Sequence, residues 1–132
     1  MDLMARILVT EDDDAVRMFV SRALMMDGHD VLTAEDGEDA LDVLIREKGE
    51  FDLLLTDIKM PIMDGIALTH AVAAQYRDLT ILMMTGFADQ RERADGLAEL
   101  VYDVVTKPFS LAEIRHMVKC ALNANNLRAA VA

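Results

Sequence analysis

Four apolar runs in this 132-residue chain each lead into residues that can do chemistry. Ile7-Leu8-Val9 runs into Thr10-Glu11-Asp12, Leu53-Leu54-Leu55 into Thr56-Asp57, Ile81 to Met84 into Thr85-Gly86, and Val101 to Val105 into Thr106-Lys107. Brought together, Glu11, Asp12 and Asp57 would crowd three carboxylates at one rim, where like charges repel and raise one another's pKa. A hard divalent cation relieves that crowding, and magnesium favours a few carboxylates, a carbonyl and retained waters. Lys107 adds a second positive charge and Thr85 a hydroxyl donor. A carboxylate nucleophile, a metal, a lysine and a hydroxyl together can receive a phosphoryl group. The cations neutralise its oxygens while the carboxylate attacks in line.

Each of these residues also has a plainer role. An Asp after a strand commonly caps a helix, the run Glu11 to Asp14 suits a helix start through the macrodipole, Thr85 can satisfy a strand end, and Lys107 can be a surface charge. Their recurrence at four strand ends is what points to a site. For that the strands must be parallel and end on one edge, the edge where open α/β sheets build ligand sites.

The hydrophobic pattern predicts such a sheet. Short apolar runs alternate with segments of helical period, giving five βα units, with Val31 to Ala34 a weaker and more polar edge strand. Val16, Phe19, Val20, Ala23 and Leu24 share one helical face. Ala40, Leu41 and Leu44 follow a cap at Asp36, and Leu68, Ala71, Val72 and Gln75 form a third stripe. Ser110 and Glu113 make a capping-box pattern ahead of Leu111, Ile114, Val118, Ala121 and Leu122. The segment Asp89 to Leu97 predicts the weakest helix, charge-rich and interrupted by Gly96, which costs about 1 kcal/mol relative to alanine. Alternation of this kind implies an α/β domain with helices on both faces of a parallel sheet.

Composition narrows the function classes. With 13 Lys plus Arg against 24 Asp plus Glu, the net charge is −11. That argues against nucleic acid as a direct partner, because phosphate backbones demand a basic face. It suits cations or basic protein surfaces. No apolar run approaches the roughly 20 residues of a membrane span, and the start MDLMARILV has no signal-peptide pattern. Cys120 is the only cysteine, so a reducing, cytoplasmic setting is expected. His29, His70 and His116 lack metal-ligand spacing and read as surface residues.

From about Arg6 to Leu122 the chain resembles the receiver domain of bacterial response regulators in two-component systems. The resemblance is carried by Val9-Thr10-Glu11-Asp12-Asp13-Asp14, by Leu54 through Gly65 around Thr56-Asp57-Ile58-Lys59-Met60-Pro61, and by Lys107-Pro108-Phe109. It implies a doubly wound, flavodoxin-like (CheY-like) sheet of order 2-1-3-4-5 and phosphorylation of Asp57. It also implies Mg2+ bound by Asp12 and Asp57, by Glu11 through water and by the backbone carbonyl of Lys59, with Thr85 and Lys107 engaging the phosphoryl group. A cis Lys107-Pro108 peptide is part of the same expectation, as is a sharp turn at Gly65. The implied phosphoryl donor is a histidine kinase or histidine phosphotransferase. The receiver is expected over residues 1–122, with 123–132 a short, partly frayed tail.

Three positions depart from the common pattern. Val104 stands where many receivers carry a switching aromatic, with Tyr102 two residues earlier. Lys59 and Phe87, each two residues beyond a site residue, are large, and are expected to obstruct the hydrolytic water and prolong phosphorylation.

With only ten residues after Leu122, the expected output is a surface of this same domain, monomeric or weakly dimeric. That surface spans the Asp89–Leu97 segment, the fifth strand and the last helix. Thr85-Gly86-Phe87-Ala88, Val104, Lys107-Pro108-Phe109 and the opening helix are most similar to stand-alone receivers of CpdR type in alpha-proteobacteria. That similarity implies an unphosphorylated adaptor delivering substrates to ClpXP, with ClpX as a partner. The small apolar residues ending Leu127 to Ala132 fit a degradation signal or a helix end.

A phosphorelay shuttle, passing phosphate to a histidine phosphotransferase, uses the same chemistry. An aspartyl-intermediate phosphatase would carry a second Asp where Lys59 stands. A flavin carrier would need a hydroxyl-rich phosphate loop where four acids stand.

Overall fold

The computed structural model describes residues 4–86 and 96–131, with side chains as far as Asn125. The order is β1 (Arg6–Thr10), α1 (Asp14–Met26), β2 (Asp30–Ala34), α2 (Gly37–Arg46), β3 (Leu53–Asp57), α3 (Gly65–Gln75), β4 (Thr80–Thr85), β5 (Asp103–Thr106) and α4 (Leu111–Val131). All strand pairs are parallel and the sheet runs β2-β1-β3-β4-β5, the expected order.

Side chains on a strand alternate between faces, and that alternation builds two cores. Leu8, Leu54, Ile81 and Met83 pack with Ala40, Val43, Leu44, Leu68 and Val72 of α2 and α3. Ile7, Val9, Leu55, Leu82 and Met84 pack with Val20, Leu24, Ile114, Val118 and Leu122 of α1 and α4. Because both faces are covered, β1, β3 and β4 read as continuous apolar runs. Leu54 and Leu55 are fully buried; truncating either to alanine would cost about 2–5 kcal/mol.

Three of the acidic residues serve as helix caps. Asp13, Asp36 and Asp64 accept hydrogen bonds from the amides of Val16, Asp39 and Ala67 at 3.0, 2.8 and 2.9 Å, satisfying donors that a helix start leaves open. In α4 the capping box forms as the sequence predicts. Glu113 N–H donates to Ser110 Oγ at 3.0 Å, and Ser110 N–H to Glu113 Oε1 at 3.2 Å.

Several local expectations change. The fifth strand begins at Asp103 rather than Val101. Val101 instead ends a turn, its side chain still in the core, and Asp103 turns its carboxylate onto the Val104 amide at 2.7 Å. Phe19 sits at the rim of the α1 stripe, 40% exposed, stacked obliquely on Phe109 with ring centroids 6.4 Å apart. In α3, Thr69 is buried while Gln75 is exposed. His29 is not a surface residue: it is half-buried and its Nδ1 accepts from the Ala5 amide at 3.1 Å, so burial holds its pKa below the ordinary value. The last helix continues past Leu122 to Val131. Ala124, Leu127, Arg128, Ala129 and Ala130 are strong helix formers, and extending an existing helix is cheap compared with nucleating one. Phe87 and most of the Asp89–Leu97 segment lie outside the described residues.

Candidate functional site

Sheet register brings the polar strand ends together. Thr10 pairs with Thr56, Asp57 with Met84, and Thr85 with Thr106, so Glu11, Asp57, Thr85 and Lys107 all emerge at the carboxyl edge. Glu11, Asp12 and Asp57 each place a carboxylate oxygen within 4.8 Å of the others. The three differ in setting: Glu11 has no exposed surface, Asp57 is buried, and Asp12 is exposed.

Lys107 closes the group. Its Nζ lies 2.6 Å from Glu11 Oε1 and 3.0 Å from Asp57 Oδ2. Its backbone amide donates to the Thr85 carbonyl at 2.7 Å, which fixes where the side chain starts. The following Lys107-Pro108 peptide is cis, as expected. Asp57 Oδ1 accepts from the Ile58 amide at 2.9 Å. Thr85 is buried at the end of β4. Lys59 stands in the loop leaving β3 with its side chain exposed.

The electrostatics follow from burial. Loss of solvent pushes the Glu11 carboxyl up to about 8, reinforced by the neighbouring Asp57 and only partly offset by Lys107. Burial acts to lower the Lys107 pKa, but its bonds to Glu11 and Asp57 outweigh this and hold it above the ordinary lysine value. Glu11 Oε2 is buried and, among the described residues, has no hydrogen-bond partner, an expensive state for a carboxylate. Among the described residues, three carboxylates meet one ammonium and the buried Glu11 Oε2 stays unpartnered, a donor set that fits a hard, oxygen-seeking divalent cation such as Mg2+.

The loop after Asp57 is shaped by close approach. A Cβ at Gly65 would fall 2.0 Å from the Asp57 carbonyl oxygen, and the Gly65 amide donates to Ile58 O at 2.7 Å. The glycine is therefore required by contact with the backbone of β3, not by the sharp turn the sequence suggested. The unusual dihedral belongs to Ile62, at φ 68°, the centre of a γ-turn in which the Met63 amide donates to Pro61 O at 2.7 Å.

Two features were not anticipated. Arg17 donates from Nη1 to the Glu11 carbonyl at 2.8 Å; its only sequence signal is the Asp14–Arg17 spacing, which suits a helical ion pair. Beside Lys107 an apolar cleft of about 500 Å³ is lined by Ala15, Val16, Phe19, Gly86, Pro108 and Phe109.

The family profile of the response regulator receiver domain matches residues 7–119. The chain belongs to this family. Receiver domains accept phosphate from histidine kinases. The receiver is 34% identical over 115 residues to the sensor kinase CckA of Brucella abortus, covering 87% of this chain and 12% of that protein. It is 35% identical over 117 residues to the response regulator MprA of Mycolicibacterium vanbaalenii, covering 89% of this chain and 50% of that one. It thus spans half the length of that regulator and much less of the kinase.

Among solved structures, the receiver resembles TrrA of Thermotoga maritima, determined in complex with Mg(2+)-BeF, at 30% identity and TM-score 0.79 over 89% of this chain and 99% of that one. A CheY-like receiver of Methanospirillum hungatei superposes with TM-score 0.86 at 25% identity over 96% and 99%. NtrX of Brucella abortus superposes with TM-score 0.89 at 27% identity over 98% of this chain and 29% of that one. Among the described residues no helix is long and apolar enough to cross a membrane.

Proposed function

We propose that this domain, over residues 1–122, is a phosphorylation switch whose acceptor is Asp57. The observation that carries the reading is Lys107 Nζ held between Glu11 and Asp57 at 2.6 and 3.0 Å, a cation already set where phosphoryl oxygens would arrive. A carboxylate oxygen of Asp57 forms the new O–P bond as the bond from phosphorus to the donor's imidazole nitrogen breaks. Lys107 turns from Glu11 to the phosphoryl oxygens, and Thr85 donates its hydroxyl to one of them. Glu11, Asp12, Asp57 and the Lys59 carbonyl are the groups that would hold Mg2+. When bound, the ion supplies positive charge against the phosphoryl oxygens.

The apolar cleft beside Lys107 supports docking of the histidine-bearing donor, kinase or phosphotransferase, since a donor must sit against this rim for its phosphoryl group to reach Asp57. Incubation with a small-molecule phosphodonor and Mg2+ should label wild type and leave Asp57→Asn unlabelled. Equal labelling of both would remove Asp57 from the reading.

For output, the proposal is a cytoplasmic adaptor of CpdR type that engages ClpX when unphosphorylated, through the surface of β5, α4 and the segment preceding β5. Its support is the run Thr85-Gly86-Phe87-Ala88, Val104 and Lys107-Pro108-Phe109, with Val104 half-buried on β5 where a bulky switching aromatic is absent. A pull-down comparing Asp57→Ala with phosphorylated wild type tests it. The adaptor reading requires ClpX with the variant and its loss from the phosphoprotein; equal recovery from both overturns it.

A further inference from the structure

Asp12 is exposed at the start of a loop, yet a metal ligand must be held in place. The residue before it, Glu11, is anchored three times. Its amide donates to the Ala34 carbonyl at 3.1 Å, its carboxylate accepts from Lys107, and its carbonyl accepts from Arg17 Nη1 at 2.8 Å. The last contact bears directly on Asp12, because the Glu11 carbonyl belongs to the planar peptide joining the two residues. Fixing that carbonyl fixes the plane from which Asp12 departs.

Arg17 is well placed to act as a rigid brace. Its side chain is only 16% exposed. Its second nitrogen, Nη2, pairs with Asp14 and lies 3.8 Å from Glu35 Oε1. The guanidinium thus joins the loop after β1, the first turn of α1 and the end of β2. Its own carbonyl accepts from the buried Ser21 hydroxyl at 2.7 Å. A lysine could not replicate this, since a single ammonium lacks the planar fork that serves separate acceptors at once.

We infer that Arg17 is a positioning residue for divalent-cation binding, acting through the Glu11–Asp12 peptide. The inference rests on the reading of the acidic cluster given above. It makes a prediction opposite in sign to simple electrostatics. Removing a positive charge beside three carboxylates should by itself tighten cation binding; loss of a brace should weaken it, by about 10- to 100-fold as for outer-shell partners of metal ligands.

Mg2+ titration by calorimetry decides between them, using wild type, Arg17→Met, Arg17→Lys and Arg22→Met. Arg22, exposed on the same helix, matches the charge change away from the loop. Weaker binding in both Arg17 variants, with Arg22→Met at or tighter than wild type, is the expected result. Amide exchange at Asp12 and Asp13 in the metal-free protein should also quicken in Arg17→Met. Affinity equal to or tighter than wild type in Arg17→Met overturns the inference. Should Arg17→Met not fold, Arg17→Lys carries the test by the same criterion. If wild type itself binds no Mg2+, the reading of the cluster fails instead, and the loop-exchange measurement still decides whether Arg17 braces the loop.

Discussion

Lys107 Nζ lies closer to Glu11 than to Asp57, 2.6 against 3.0 Å, across a sequence separation of 96 residues from Glu11. In this state the lysine is shared between two buried carboxyl groups, and serves Glu11 as a counter-ion once that acid ionises. Any cation that takes over that duty frees it, so metal binding and the availability of Lys107 to a phosphoryl group are linked.

Replacing Lys107 with Met should therefore make the domain more dependent on Mg2+. Without the ammonium, the metal-free protein is expected to lose on the order of 1–3 kcal/mol. Mg2+ should raise the thermal midpoint of the variant by more than that of wild type. Saturation at a hundred times Kd contributes about 2.7 kcal/mol. Paired melting curves with and without the ion check this; an equal rise in both proteins would count against it.

The Glu11 carboxyl sets a pH dependence with a defined sign. Its folded value is about 8 against an ordinary 4.5, so between these values the folded chain retains a proton that the unfolded chain has released. Metal-free stability should accordingly fall as pH rises through that window and level off above it. Mg2+ needs the ionised form, so its uptake should release protons below pH 8 and its affinity should climb to a plateau. In Glu11→Gln the proton release assigned to this residue should vanish. Denaturant titrations across pH and calorimetry in buffers of different ionisation heat provide the two readouts.

Gly65→Ala should damage stability and the site together. The new methyl would meet the Asp57 carbonyl oxygen at 2.0 Å, and backbone on backbone cannot yield as a side-chain end can, so a loss of about 1–3 kcal/mol or more is expected. Gly86→Ala is the control, because a methyl there meets nothing within 4 Å among the described residues. Similar denaturation midpoints for the two variants would contradict the close-approach account.

Ile62 combines 77% exposure with a left-handed φ of 68°, a conformation costly for a β-branched residue. Ile62→Gly should relieve that strain, offset in part by the greater freedom of glycine in the unfolded chain. A net gain of up to about 1 kcal/mol is expected. An unchanged or lower midpoint in chemical denaturation would show that the turn stores no such strain.

The sheet and the polar rim were legible because they rest on period. The apolar runs marked the five strands, missing only where the fifth begins, and the polar residues following four of them named Glu11, Asp57, Thr85 and Lys107 without side-chain geometry. Residues whose role depends on distant neighbours were not legible. Arg17 reaches a carbonyl six positions back, His29 accepts from Ala5, and Gly65 is constrained by the backbone of β3. The exposure of Phe19 was missed for a related reason: helical period gives a face but not where that face runs off the edge of the sheet. The length of the last helix was missed because its final residues have high helix propensity but no stripe to reveal them.

The outer edge at β5 has a consequence for the protein in bulk. An unpaired strand edge invites a strand from another molecule when it presents a long row of open amides and carbonyls. Here the edge is four residues long, and the Val104 amide is already occupied by the Asp103 carboxylate at 2.7 Å. A negative charge stands where an incoming strand would have to lie. Among the described residues this side of the sheet is therefore a poor template for an added strand.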